Sequence, residues 1–330
     1  MINVGVIGFG YWGPNIVRNF ESNLFSKVTM ISDTETSQLN RSKIQFPTIQ
    51  TTNSPFDILK NKDIALVAVV TPVETHFELG LEVLKSGKHL FIEKPFTSTA
   101  EQANRLIEEA NKRGLLIAVD HTFLFTSAVN RIKSAISSGE LGKLNYIDST
   151  RINLGLIQND VNVVWDLAPH DLSILNYLLP DENLIDVVAS GAAPIKNRFE
   201  EIAFITMKYE SGFIAHLHLN WLSPVKIRHF LISGSSRMLV WDDLSADEKI
   251  KIYDCGVNET KSTEDYQNRV EYRRGDTLIP KLQNQEALAT QITNIIESIQ
   301  GKSNLISDGK SGLKVVEQIE MINQSMSLRK

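Results

Sequence analysis

The sequence predicts an α/β fold with a parallel, doubly wound sheet in its first third, followed by an α+β domain with a large, mostly antiparallel open sheet. In the first third, short apolar runs alternate with amphipathic stretches, as expected when helices connect parallel strands. A glycine-rich turn lies between the first apolar run and the first helical stretch. After about residue 121, strand-like runs follow one another with fewer helices between them. The boundary between two domains is therefore predicted near residue 121.

The first domain, residues 1–121, contains six predicted strands. Residues 64–70 are apolar on both faces, as in a central strand of a parallel sheet. Thr71-Pro72, with Glu74 three residues after Thr71, indicates the start of a helix that ends at Gly87. A second capping pattern at residues 98–101 starts a helix that ends at Gly114. The strands are predicted at residues 3–8, 27–32, 48–51, 64–70, 89–92 and 115–120, and the remaining helices at residues 13–21, 37–45 and 54–60.

The second domain, residues 122–330, contains mainly strands, and a turn at residues 210–212 favours antiparallel pairing. The strands are predicted at residues 144–153, 185–190, 201–209, 212–221 and 228–233, and the helices at residues 127–137, 165–179, 284–300 and 311–325.

Composition excludes several classes of protein. The chain has 330 residues, enough for two cores, with 42% hydrophobic and 22% charged residues. The net charge of −5 gives no sign of a nucleic-acid or polybasic membrane partner. Cys255, the one cysteine, excludes an intramolecular disulfide and a multi-cysteine zinc site, and no metal site is predicted. With neither a signal peptide nor a membrane-spanning run, a cytoplasmic location is expected.

The glycine-rich turn predicts a dinucleotide site in a Rossmann-type domain. Gly8-Phe9-Gly10-Tyr11-Trp12-Gly13 matches G-x-G-x-x-G between a buried strand and a helix. In this pattern the first glycine allows the tight turn, the second allows the pyrophosphate to approach, and the third allows helix and strand to pack. Asp33 ends the second strand, where a carboxylate accepts hydrogen bonds from ribose hydroxyls and repels a 2′-phosphate. Because residues 34–40 contain no Arg or Lys, NAD is predicted in preference to NADP.

Two further clusters carry side chains suited to proton transfer. Glu93-Lys94-Pro95 follows the fifth strand, at the sheet edge where open α/β folds bind ligands. Asp166 and His170 are four residues apart and share one helical face, provided that Pro169 is accommodated within the first turn. A histidine that titrates near neutrality suits removal of a hydroxyl proton. Taken singly, these residues also fit a surface lysine, a capping aspartate and a core histidine.

Together these motifs resemble the Gfo/Idh/MocA oxidoreductase family. The resemblance extends over nearly the whole chain and includes residues 8–13, Thr71-Pro72 with His76, residues 93–95, residues 121–124, and Trp165-Asp166 through His170-Asp171. It implies that Lys94, Asp166 and His170 are the catalytic residues and that the Lys94–Pro95 bond is cis. It also implies a homodimer or homotetramer formed through the C-terminal sheet. Cofactor contacts are predicted for Gly8, Phe9, Gly10, Tyr11, Trp12, Gly13, Asp33, Thr71, Pro72, His76, Glu93, Lys94 and His121.

The resemblance implies hydride transfer between nicotinamide and a ring carbon of a sugar. Residues 8–15 and 160–171 are similar to family members of bacterial surface-polysaccharide pathways, which favours a nucleotide-linked sugar; an inositol or free sugar is the nearest alternative. The motifs also fit an NAD-dependent glycosidase that oxidises its sugar transiently, and they fit a non-catalytic NAD(P)-binding regulator. Substrate contacts are predicted for Lys94, Arg151, Asn153, Asn162, Trp165, Asp166 and His170.

Three further side chains are assigned no catalytic role. His216 and His218 alternate on one face of a strand, which fits a subunit interface or a solvated face better than a metal site. Cys255 has no evident histidine partner and is predicted to be a bystander.

Overall fold

A computed structural model describes residues 1–155, 157, 161–195, 199–259 and 270–328. Asp160, the first residue of the segment 160–171, lies outside this part of the chain. The strands are β1 (Ile2–Ile7), β2 (Ser26–Ser32), β3 (Gln50–Thr52), β4 (Leu66–Val69), β5 (His89–Ile92), β6 (Ile117–Val119), β7 (Leu144–Leu154), β8 (Leu184–Ala192), β9 (Ile202–Tyr209), β10 (Ile214–Asn220), β11 (Leu222–Gly234), β12 (Met238–Asp242), β13 (Ile250–Glu259) and β14 (Val270–Leu278). The α-helices are α1 (Gly13–Ser22), α2 (Thr36–Gln45), α3 (Pro55–Lys60), α4 (His76–Lys85), α5 (Ala100–Arg113), α6 (Ser127–Ser137), α7 (Val163–Leu178), α8 (Ala287–Ile299) and α9 (Gly309–Ser327).

The chain divides into two compact units. The first contains residues 1–126 and 285–320, and the second contains residues 127–284 and 321–330. The structure differs here from the predicted division at residue 121, which placed residues 285–320 in the second domain. The physical reason is packing, since Leu288, Ile292 and Ile296 of α8 are buried in the same apolar cluster as Val4 and Phe20.

The first unit contains a six-stranded sheet in the order β3-β2-β1-β4-β5-β6. All its neighbouring strands are parallel, as predicted. Strand β4 is buried along its whole length, because a central parallel strand is covered on both faces. The order reverses between β1 and β4, and in such sheets the carboxyl ends on either side of the reversal form the ligand crevice.

The second unit contains an eight-stranded sheet in the order β14-β13-β12-β11-β7-β10-β9-β8. Its pairs are antiparallel apart from β7 with β10, which are parallel. Strand β9 alternates between exposed Phe204 and buried Ala203 and Ile205, so one sheet face is covered and the other is open. The mostly antiparallel open sheet is thereby confirmed, although β12, β13 and β14 were not predicted.

Two helix starts differ in detail from prediction. The cap of α5 is Thr99, whose side chain accepts from the amide of Gln102 at 3.2 Å, so the capping pattern is shifted by one residue. Helix α7 begins at Val163, which places Pro169 in the helix interior and not in its first turn. Among the described residues, no helix is long and apolar enough to cross a membrane.

Candidate active site

The glycine turn of the first unit leaves an open space beside its backbone. Gly8 has a φ of +97°, and a Cβ there would lie 2.3 Å from the carbonyl oxygen of Val70. A Cβ on Gly13 would lie 2.8 Å from the carbonyl oxygen of Gly8. A Cβ on Gly10, in contrast, would meet no atom within 4 Å. Two glycines are thus required by the fold, and the third leaves room for a group from outside, which fits the pyrophosphate of a dinucleotide.

Asp33 and Arg41 both bind the backbone of this turn. The amide of Phe9 donates to Asp33 Oδ2 at 2.7 Å, and the amide of Glu35 donates to Asp33 Oδ1 at 2.8 Å. Arg41 donates from Nη2 to the carbonyl of Gly10 at 2.7 Å, and its guanidinium lies 5.1 Å from the Phe9 ring centroid. Sequence reasoning missed Arg41, because it lies one residue beyond the segment 34–40 in which a cation was sought.

Tyr11, at the tip of the turn, is 91% exposed and stacks on Trp12 with 6.5 Å between ring centroids. Its ring is therefore accessible, as a side chain that contacts a ligand must be. The neighbouring Phe9 is fully buried, and its amide already donates to Asp33.

His76 connects the backbone that follows β4 with the backbone that follows β5. Its Nδ1 lies 2.9 Å from the carbonyl of Pro95, and its Nε2 lies 2.8 Å from the carbonyl of Thr71. Burial lowers the pKa of His76, which favours a neutral ring that donates to one carbonyl at a time. The ring has no exposed surface and holds Thr71 and Pro95, and its predicted cofactor contact stays a prediction.

The Lys94–Pro95 peptide bond is cis, as the resemblance implies. The hydroxyl of Thr71 shares a 2.7 Å hydrogen bond with that of Thr75, and Pro72 precedes a short 3-10 turn at Val73–Thr75. These contacts give the segment after β4 a fixed backbone at the carboxyl edge of the sheet.

A buried carboxyl pair lies beside Lys94. Glu93 follows β5 and Asp120 follows β6, and the parallel register of these strands, with Ile92 opposite Val119, places the two residues side by side. Asp120 also accepts from Trp12 Nε1 at 2.9 Å and from Thr122 Oγ1 at 2.5 Å. Burial, and then the charge of Asp120, raise the pKa of Glu93 well above its usual value. Asp120 was not predicted, because Trp12 is 108 residues away in the sequence and no spacing rule connects them.

His121 is buried next to this pair and is 1% exposed. Its Nδ1 lies 3.1 Å from the hydroxyl of Ser307, and its Nε2 has no hydrogen-bond partner among the described residues. Burial lowers the pKa of His121 to about 4, despite the opposing effect of Asp120, so the ring is neutral at physiological pH.

In the second unit, helix α7 carries Asp166 and His170 on one face, four residues apart. Trp221, 1% exposed, donates from Nε1 to Asp166 Oδ2 at 3.0 Å and so fixes the orientation of this carboxylate. Asn162 caps the helix by accepting from the amides of Val164 and Trp165, both at 3.2 Å. The helix start therefore positions the two side chains, and Trp165, partly exposed, lies in its first turn.

Two predicted substrate residues have hydrogen-bond partners within the second unit. Arg151 is 3% exposed and donates from Nε and Nη2 to Asp171 Oδ1 at 2.8 and 2.6 Å. Asn162 donates from Nδ2 to Glu200 and Asn323 in addition to capping α7. These buried contacts account for both residues without a substrate. Asn153, near the end of β7, is only partly buried.

On the open sheet face, His216 and His218 lie in different surroundings. His216 Nδ1 is 3.4 Å from Asp148 Oδ1, whereas His218 stacks on Phe204 with 4.3 Å between ring centroids. Over the described part of the chain, no three His, Cys, Asp or Glu side chains are arranged to hold a metal ion. Cys255 is exposed.

Comparison with known proteins identifies the family. Residues 2–121 match the Gfo/Idh/MocA oxidoreductase family with an NAD-binding Rossmann fold, and residues 129–240 match the C-terminal domain of the same family. The chain belongs to this family. It is therefore an NAD-binding oxidoreductase, and the predicted parallel sheet and cofactor are confirmed.

Individual relatives of this oxidoreductase are distant. It is 24% identical to UDP-N-acetylglucosamine 3-dehydrogenase of Acidithiobacillus ferrooxidans over 96% of this chain and 94% of that protein. A match to the uncharacterised oxidoreductase YrbE of Bacillus subtilis, at 25% identity, spans 65% of each chain, so it covers less than two thirds of that relative.

Solved structures show the same fold. The Acidithiobacillus enzyme superimposes with a TM-score of 0.82 at 23% identity, over 99% of this chain and 98% of that one. An inositol dehydrogenase homologue from Azotobacter vinelandii, complexed with NADH and myo-inositol, gives 0.80 at 18% identity, over 99% and 96%.

Proposed function

We propose that this oxidoreductase is an NAD-dependent sugar dehydrogenase that acts on a ring hydroxyl of a nucleotide-linked sugar in a surface-polysaccharide pathway. The observation that carries the proposal is the combination of Lys94 at the carboxyl edge of an NAD-binding sheet with Asp166 and His170 on one face of α7. A protein that only binds a dinucleotide has no need of a lysine and an acid–base pair of this kind.

The proposed roles follow from the chemistry of each side chain. His170 removes the proton of the substrate hydroxyl in oxidation and returns it in reduction, since an imidazole exchanges protons near neutral pH. Lys94 donates a hydrogen bond to the reacting oxygen and stabilises negative charge there. Asp166, oriented by Trp221, aligns His170 or a neighbouring substrate hydroxyl. When bound, the nicotinamide supplies the carbon that exchanges hydride with the substrate.

For cofactor binding, we propose that the amides of the glycine turn hold the pyrophosphate and that Asp33 accepts from a ribose hydroxyl. Both Asp33 oxygens already accept a backbone amide, and each has a further lone pair for a ligand. Contacts of the cofactor with Tyr11, Trp12, Thr71, Pro72, Glu93 and His121 stay predictions. The contact with Phe9, a residue without exposed surface, stays a prediction as well.

The nucleotide-sugar substrate is supported by the full-length match to UDP-N-acetylglucosamine 3-dehydrogenase, which covers 94% of that protein. Inositol remains the nearest alternative, because a structural neighbour is complexed with myo-inositol. Substrate contacts by Asn153 and Trp165 stay predictions. The partners of Arg151 and Asn162 make those two residues the weaker candidates.

NADH formation should be measured with a panel of nucleotide sugars, free sugars and inositols. We expect turnover with a UDP- or similarly linked sugar and little with inositol. Lys94→Ala and His170→Ala should each lower turnover by roughly 10²- to 10⁴-fold, the contribution of a positioned acid–base group, while NAD binding is retained. Undiminished turnover in either variant would exclude the assigned role. Glycoside cleavage without net NADH release would instead indicate a glycosidase, and NAD binding without any turnover would indicate a regulator.

We further propose that the enzyme is a cytoplasmic homodimer or homotetramer that assembles through the open sheet face. Tyr146, Phe204 and Ile214 on that face are 41, 48 and 40% exposed, an unusual density of large apolar side chains. Phe204→Asp should convert the oligomer to monomers in analytical ultracentrifugation, whereas Leu24→Asp, a change at an exposed residue of the first unit, should not. A monomeric wild-type protein would exclude this assembly.

A further inference from the structure

The Glu93–Asp120 pair lies in the half of the first sheet that is expected to hold the nicotinamide. A doubly wound sheet consists of two mononucleotide-binding halves on either side of the order reversal. Asp33 ends β2 in the half formed by β1, β2 and β3. Glu93 and Asp120 follow β5 and β6 of the other half. The ribose that Asp33 recognises belongs to the adenosine, so the other half receives the nicotinamide.

Glu93 and Asp120 lie side by side at the ends of paired strands, and two carboxyl groups so close together in a buried place are not both ionised, so one of them keeps a proton. The surrounding donors indicate which group carries it. The Trp12 indole and the Thr122 hydroxyl both donate to Asp120, one to each oxygen. Glu93 Oε2 is buried and receives no hydrogen bond from any described residue. Asp120 is thus the group stabilised as a carboxylate, and Glu93 is the group that keeps the proton.

The charged groups around the pair are consistent with this assignment. Burial and the charge of Asp120 raise the pKa of Glu93, and the smaller, opposing effects come from Lys94, through its charge and a backbone hydrogen bond. His121, whose pKa is lowered by burial, adds no positive charge at neutral pH. Like charges so close together are avoided when one carboxyl group keeps its proton.

We propose that Glu93 and Asp120 share one proton, and that the single negative charge left on Asp120 makes the enzyme favour the oxidised cofactor over the reduced one. The nicotinamide ring is positively charged in NAD⁺ and neutral in NADH, so a fixed negative charge in that half discriminates between them. Glu93 and Trp12 are then positioning residues, since they hold the charge of Asp120 in place without themselves reacting.

This arrangement also connects the glycine turn with the nicotinamide half of the dinucleotide site. Trp12 belongs to the glycine turn, and its indole reaches Asp120 across 108 residues of sequence. The turn proposed to bind the pyrophosphate therefore also carries Trp12, whose indole orients the carboxylate of Asp120 in the nicotinamide half. The inference rests on the cofactor part of the proposed function and is independent of the sugar substrate.

The test compares the dissociation constants of NAD⁺ and NADH, measured by calorimetry and by NADH fluorescence. Glu93→Gln keeps a donor toward Asp120 and keeps one negative charge, so the ratio of the two constants should stay within about threefold. Glu93→Gln with Asp120→Asn removes the charge. The double variant should raise the dissociation constant of NAD⁺ relative to that of NADH by about tenfold. This is the effect of a unit charge within about 10 Å at an effective dielectric near 20. Such a change raises the potential of the bound couple by about 30 mV.

A second measurement needs only the single variant. The infrared difference between wild type and Glu93→Gln at pH 7 should contain the carbonyl band of one protonated carboxyl group. Absence of that band, a large change of the ratio in Glu93→Gln, or an unchanged ratio in a folded double variant would each overturn the proposal. If the ratio behaves as expected while no sugar is oxidised, the substrate proposal fails and this one stands.

Discussion

Replacing Arg151 by methionine tests whether this side chain serves the fold or the substrate. Arg151 and Asp171 have side chains that are only 4% and 0% exposed, and their closest contact is 2.6 Å. Asp171 also accepts from the hydroxyl of Ser149 at 3.1 Å. Arg151→Met leaves a buried carboxylate with one remaining side-chain donor. The expected loss in the free energy of unfolding is about 3–5 kcal/mol, because the charge of Asp171 is no longer compensated.

For a unit of this size, that loss corresponds to a decrease of roughly 6–20 °C in Tm. Tryptophan fluorescence is a suitable assay, because three of the four tryptophans, Trp165, Trp221 and Trp241, lie in the second unit. Lys208→Met is the matched control. It breaks a pair with Asp186 in the same sheet, but both side chains are 53% exposed and 4.0 Å apart, so the expected change is below about 1 kcal/mol.

The double variant Arg151→Met with Asp171→Leu completes the experiment. Replacing both charges by apolar groups should restore most of the lost stability, since a buried ion pair is often no more stabilising than apolar packing. The reasoning is refuted if Arg151→Met unfolds at the wild-type temperature and instead raises KM for a nucleotide sugar. That result would return Arg151 to the substrate site.

Three further predictions concern the first unit. Gly10→Ala should leave Tm unchanged or slightly higher but weaken NAD binding at least about tenfold. Gly8→Ala should instead destabilise the unit, because Gly8 has a φ of +97° and a Cβ there would contact a carbonyl oxygen. Equal Tm values for the two variants would contradict this expectation. Asp33→Ser should lower NAD affinity about tenfold or more and shift the preference toward NADP, since a charged acceptor is lost. Calorimetry measures both dissociation constants, and an unchanged ratio of the NAD and NADP constants would disprove the assignment. Burial lowers the pKa of His121 to about 4 in the folded chain, whereas a histidine in the unfolded chain titrates near 6.5. As the pH falls from about 6.5 toward 4, the unfolded chain therefore binds a proton that the folded chain does not. The stability that neutral His121 contributes above about pH 6.5 is lost over this range. His121→Gln should remove about 3 kcal/mol of this pH dependence in urea titrations, and a variant that keeps the full dependence would rule out His121 as its source.

Patterns local to the sequence predicted much of the first unit. Residues 64–70 indicated a strand covered on both faces, and the glycine turn indicated the start of α1. Strands β13 and β14 were missed because they lack a long apolar run, and the most apolar part of β13 is confined to its first residues. The apolar face of α8 was evident, but periodicity shows only that a face is buried, not which core receives it.

The candidate site was predicted only where its residues form a recognisable motif. Lys94, Asp166 and His170 were predicted in this way. Asp120 was not, since its importance comes from contacts with Trp12 and Glu93 that only the folded chain creates. The partners of a polar side chain decide its role, and sequence spacing rarely reveals partners that are far apart in the chain.

The return of the chain into the first unit has a consequence for biosynthesis. The apolar cluster of that unit is completed by residues 288–296, so it cannot close until nearly the whole chain has left the ribosome. An N-terminal fragment ending at residue 126 would expose part of this cluster to water and should aggregate. Expression of the nucleotide-binding unit alone would therefore need residues 285–320 joined to it by a short linker.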